Sequence, residues 1–206
     1  MLVIIIAAGA IAYHLRPQTT NRNHALFVGL GQAVARETAQ AIHERGPIVV
    51  ILPEDYQTAG SPRHDDWQAL KASLKKYPAI QVVAIETVSA GSFIGFERPR
   101  SEWDNVLIKH PAISALVSLC GIPTWDPRNP FQLPPNGPKI IVVENEPAAP
   151  IQSYFANGSL AVAILPRLVP DTNPVPPTTP AAWFARQYQI YTTENYADRL
   201  KQLGAQ

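Results

Sequence analysis

Five short apolar runs recur along this chain with helical patterns between them: Ile48 to Leu52 (IVVIL), Ile80 to Ile85 (IQVVAI), Ile113 to Leu119 (ISALVSL), Lys139 to Val143 (KIIVV) and Leu160 to Leu165 (LAVAIL). In the first of them, IVVIL, the apolar residues are continuous rather than alternating, the pattern of a strand buried on both faces. Between the runs, Trp67, Leu70, Leu74 and Tyr77 repeat at helical spacing up to Pro78, and Trp103, Val106 and Leu107 do so in a helix over about Pro99 to Lys109. A helix over roughly Gly31 to Arg45 is closed by Gly46-Pro47, and a short one over Ile151 to Asn157 by Gly158. Strand, helix and strand in strict succession require right-handed crossovers. The expected fold is therefore α/β: one doubly wound parallel sheet of about five strands, with helices on both faces.

Ahead of this pattern, Met1 to Leu15 (MLVIIIAAGAIAYHL) carries no charged side chain. We read residues 1–16 as a transmembrane or signal-anchor helix that contacts the lipid bilayer, 17–28 as a linker, and 29–200 as the α/β domain. Fifteen helical residues reach about 22 Å against a hydrocarbon core of about 30 Å. Such a helix needs a thinned bilayer, snorkelling by Tyr13, His14 and Arg16, or a neighbouring protein that covers the remainder. Two other readings stay open. Ala8-Gly9-Ala10 and Ala10-Ile11-Ala12 are small-x-small sequences of the kind that end a cleaved signal peptide, although no Lys or Arg precedes them. The segment also fits a buried element of the soluble fold. Arg16 and Arg22, just after it, would by charge bias alone hold the domain in the cytoplasm.

Hydrophobic residues at 46% and charged residues at 16% supply one core of ordinary size. A formal net charge of +1 without a Lys/Arg run argues against a nucleic-acid surface. The single cysteine, Cys120, has no internal disulfide partner and reads as a small buried hydrophobe after a strand. There is no G-x-S-x-G, Walker, H-E-x-x-H or C-x-x-C sequence, and the five histidines lack metal-ligand spacing, so no enzyme activity, cofactor or metal is expected. In His64-Asp65-Asp66 the two acids read as an N-cap or first-turn charge before the Trp67 helix. Gly29-Leu30-Gly31 precedes a helix as a phosphate loop would, but no strand leads into it. Residues 121–138 and 167–180 are dense in proline and read as extended surface segments. On the first of them, Trp125 and Phe131 are the expected anchors for a docking protein.

The order of the Ile48 strand, SPRHDDWQALKASLKKYPAIQVVAIET, WDNVLIKHPAISALVSLCGIP, GPKIIVVENEPAAPIQSYFANGSLAVAILPR and IYTTENYADRL resembles the sugar-binding branch of the type 1 periplasmic binding proteins over roughly Gly29 to Leu200. Members of that family close two α/β lobes around a ligand, and the resemblance is to the second lobe, with the apolar segment and linker standing where a first lobe would. It implies export, with the domain in the periplasm; the apolar segment Met1 to Leu15 would then be its single-pass anchor in a bacterial inner membrane. In the family an arginine after the first strand and an aspartate after the fourth commonly bind sugar hydroxyls. Arg63 and the Glu144-Asn145 pair stand nearest those places. The expected function is a non-catalytic, membrane-anchored accessory or structural subunit whose domain docks onto the subunits of a larger membrane complex, respiratory or photosynthetic in kind. The alternative is a periplasmic sugar or small polar ligand-binding protein of a transport or sensing system, which would use Arg63, Glu144 and Asn145.

Overall fold

The computed structural model describes residues 19–88, 100–123, 128, 131–134, 136–145, 151–169 and 171–204. The expected anchor helix at Met1 to Leu15 and the aromatic residue Trp125 lie outside them. Among the described residues, no helix is long and apolar enough to cross a membrane.

The first helix, α1, spans Thr19–Ala41. Residues 19–28, expected as a linker, are therefore helical. Gly29 and Gly31 read as interruptions in the sequence, yet they serve close packing. A Cβ on Gly31 would lie 2.5 Å from the Asp66 carbonyl oxygen and 2.7 Å from the Leu70 nitrogen, and one on Gly29 would lie 2.1 Å from the Pro180 carbonyl oxygen. The resemblance of Gly29-Leu30-Gly31 to a phosphate loop is thus explained by helix contacts. The chain then turns through Gly46, whose φ of +119° favours glycine, into β1 (Gly46–Pro53).

Helix α2 (Pro62–Leu74) is capped by Ser61, whose hydroxyl accepts from the His64 N–H at 3.0 Å, with Pro62 at its first position. That corrects the expected capping role of Asp65 or Asp66. Asp65 does sit in the first turn, but Asp66 points inward with Trp67, Leu70 and Leu74 and is buried. Next come β2 (Ile80–Val88), α3 (Arg100–Lys109), β3 (Ala115–Ser118), β4 (Lys139–Val143), α4 (Gln152–Ala156) and β5 (Val162–Pro166). Three elements beyond the expected set follow: α5 (Pro180–Gln187), β6 (Tyr188–Thr192) and α6 (Tyr196–Gly204).

The sheet has six strands in the order β2-β1-β3-β4-β5-β6. The pairs among β1 to β5 are parallel, and β6 pairs antiparallel with β5. The all-parallel expectation fails at β6 for a geometric reason. Tyr188 pairs with Pro166, so the chain re-enters the sheet at the end where β5 left it, and only the reversed direction is then open. Alternate residues of each central strand feed two cores. Val50, Val117 and Ile164 pack beneath α1, α2 and α5, while Val49, Leu116 and Ala163 pack beneath α3, α4 and the chain around Phe131. Both faces of the central strands are covered, as their apolar runs require, whereas at the sheet edge β2 leaves Val82, Val83 and Ile85 37%, 51% and 36% exposed.

Candidate functional site

In an open α/β sheet, ligands bind beyond the carboxyl ends of the strands, where successive crossovers leave in opposite directions. Here β1 connects outward to β2 and β3 connects the other way to β4, which puts that switch point between β1 and β3. The floor of this edge is tied together strand by strand. Leu119 N–H donates to the Ile51 carbonyl at 3.0 Å, and the Ser118 hydroxyl donates to the Gly121 carbonyl at 2.7 Å while accepting from Cys120 N–H at 3.2 Å. Gly121 sits at a φ of +81°, which the turn requires. Cys120 is buried, as its position after a strand leads one to expect. Ile122 N–H donates to Glu144 Oε1 at 2.5 Å, Glu144 N–H donates to the Ile164 carbonyl at 2.9 Å, and the Tyr154 hydroxyl donates to the Pro123 carbonyl.

Glu144 is 4% exposed and belongs to a polar cluster with Tyr154 and Arg100. Burial pushes the Tyr154 phenol well above its ordinary range, the Glu144 carboxylate pushes it further, and the Arg100 guanidinium opposes both. Arg100 Nε donates to Asp104 Oδ2 at 3.0 Å, and its guanidinium lies 5.8 Å from the Phe131 ring centroid. The cluster therefore sets a carboxylate, a phenol and a guanidinium at the ends of β3 and β4, the donor and acceptor types that polyhydroxylated ligands need. Sequence reading missed Arg100 and Tyr154. Arg100 is the first residue of α3, where the sequence offers no apolar spacing to place it, and Tyr154 sits in a helix of five residues whose inward face only the tertiary fold reveals.

The expected ligand residues are not brought together. Glu144 joins this cluster, and Asn145 is exposed beside it. Arg63 turns to the opposite face, where Nη1 stands 3.7 Å from Asp66 Oδ2, within ion-pair range but beyond hydrogen-bonding distance. Neither Asp66 oxygen has a hydrogen-bond partner. Burial pushes the Asp66 carboxyl up to about 7, against the downward pull of Arg63 and with a smaller upward push from Asp65. Phe131, expected as a projecting anchor, is instead 3% exposed, with its ring edge-on to Trp103 at 6.1 Å and near Tyr154 at 6.4 Å. It is a core residue, packed in the same apolar cluster as Trp103, Val106 and Tyr154.

A cavity of about 380 Å³ lies at the other end of the sheet, between Glu37 and Gln40 of α1, Gly158 to Ala161, and Thr192 to Glu194. It opens at the amino ends of the strands, away from the switch point. The carboxyl edge is the better candidate because its polar groups converge.

No protein-family model matches the chain, and neither does any curated protein sequence. Solved structures do share the fold. AraP, an arabinose binding protein from Geobacillus stearothermophilus, is 13% identical with a TM-score of 0.54, over 84% of this chain and 62% of its own. The fructose binding periplasmic domain of a hybrid two-component system is 14% identical with a TM-score of 0.56, over 87% of this chain and 61% of its own. An ABC transporter solute binding protein from Burkholderia graminis, solved with D-arabinose, is 13% identical with a TM-score of 0.53, over 82% and 60%. The chain spans about three fifths of the length of these structures.

Proposed function

We propose that this chain is a non-catalytic binding module for a sugar or similar small polar ligand, serving a transport or sensing system outside the cytoplasm. The observation that carries this reading is the gathering of Arg100, Glu144 and Tyr154 at the carboxyl ends of β3 and β4, on the edge where such a sheet takes ligands. Support comes from the shared fold, whose examples include arabinose and fructose binders. Asn145 completes the edge as an exposed amide able both to donate and to accept. Calorimetric titration with arabinose, fructose and galactose tests it. We expect saturable heat for at least one sugar and at least about tenfold weaker binding in Arg100→Ala and Asn145→Ala, the loss that removing a charged or neutral hydrogen-bond partner brings. Silence for every sugar would sink the reading.

A second reading, an accessory subunit held in the membrane through Met1 to Leu15, is favoured by how the expected ligand groups are spent. Glu144 already serves Ile122 N–H, and Arg63 already serves Asp66. With Phe131 in the core, Trp125 carries the docking role in this reading. Mild-detergent isolation of the tagged chain would then retain other membrane subunits, and Trp125→Ala would release them.

A further inference from the structure

The last helix carries a charge that its surroundings do not answer. Arg199 is 0% exposed, and its Nε, Nη1 and Nη2 all lack a hydrogen-bond partner. The guanidinium lies 5.1 Å from the centroid of the Tyr191 ring, a favourable contact that leaves all its N–H groups unpaired. The Tyr191 hydroxyl is buried as well, and it too has no partner. The nearby acids do not serve: Asp198 pairs with Lys201 at 3.0 Å on the exposed side of α6, and Glu194 is exposed at the turn before it. Arginine stays protonated in proteins, so deprotonation cannot relieve this burial. A buried ion without a counter-charge costs several kcal/mol, and buried polar groups in folded proteins are almost always satisfied. Adjacent donors without an acceptor define what is wanted: oxygen lone pairs carrying negative charge, in the planar two-point geometry that a guanidinium fork prefers.

We propose that Arg199 and the Tyr191 hydroxyl form a binding site for a small oxyanion, phosphate-like or carboxylate-like, held beneath α6. The site lies between α6 and β6, beside the Phe155 ring on which Tyr196 stacks at 5.0 Å. It is distinct from the strand-end cluster. Because both donors are covered, the anion enters when α6 lifts, and once bound it holds the helix down.

The test uses the full chain at constant ionic strength, with chloride replaced stepwise by inorganic phosphate in one series and by acetate in another. Melting temperature and amide exchange across residues 196–204 are followed. We expect a saturable rise in melting temperature and at least tenfold slower exchange in α6 with one anion or both, the responding anion identifying which chemistry the site takes. Arg199→Met should abolish both effects, and Tyr191→Phe, which keeps the ring, should weaken the half-saturating concentration several-fold. If Arg199→Met does not fold, Tyr191→Phe carries the comparison. Absence of a saturable response to either anion, or an undiminished response in the variants, overturns the proposal.

Discussion

With its carboxyl pushed up to about 7 by burial, Asp66 is a residue whose ionisation works against the fold. In the unfolded chain the group titrates at 3.8. Below that value both states hold the proton and there is no cost. As pH rises from about 4 to about 7 the unfolded state ionises first, so stability is lost across that window and stays lost above it. A shift of about three units corresponds to a cost on the order of 4 kcal/mol above pH 7. Asp66→Asn removes the charge at equal size. Its denaturation midpoint should match that of the wild type at about pH 3, below the unfolded value, and exceed it clearly at pH 8. A difference that does not change with pH would show that the carboxyl finds a partner in solution. The neighbouring Asp65 illustrates how little of this was legible in the sequence. It accepts from His24 Nδ1 at 2.8 Å on the surface, one residue away from a buried twin, and only the docking of α1 distinguishes them.

At the scale of elements, the close crossing of α1 with α2 is set by Gly31. Replacing it with alanine places a methyl group 2.5 Å from backbone that cannot rotate away, so the helices must part. Gly31→Ala should cost about 1 to 3 kcal/mol in denaturant melts, the range of overpacked contacts, in spite of the gain in helix propensity that alanine brings. A neutral or stabilising result would show that the crossing is looser than described. The central strands and the α2 and α3 faces could be read from the sequence, since apolar runs and three-and-four spacing there reflect burial, but the exposure of Val82, Val83 and Ile85 on edge strand β2 could not. The start of α1 could not, because glycine used for packing looks like glycine used for breaking. The α5–β6–α6 segment was also hidden. Its strand, YQIYT, is only half-buried along most of its length, and its helix α5 begins at a proline that reads as the end of the preceding extended stretch. That stretch is indeed irregular from 171 to 179, and Arg186 of α5 pins it by donating to the Val175 carbonyl at 3.0 Å and to those of Asp171 and Asn173.

Over the whole molecule, the direction of α1 matters for what lies ahead of it. Its amino-terminal half runs along the carboxyl edge of the sheet, where His24 meets Asp65 at the start of α2 and Gly29 meets Pro180 at the start of α5. On the reading that Met1 to Leu15 is a retained anchor, intact-mass analysis should find the uncleaved chain, and protease added to spheroplasts should digest the domain. A mature chain beginning near Ala10 or Tyr13, or a protected domain, would overturn it. Three residues, Arg16 to Gln18, stand in the sequence between that segment and Thr19, where the described part of α1 begins. A bilayer holding the segment would keep the strand edge within a short tether of its surface. Encounters with anything else resident there would then be governed by effective concentration, in the millimolar range for so short a linker. Contacts too weak to survive dilution in a test tube would be occupied most of the time.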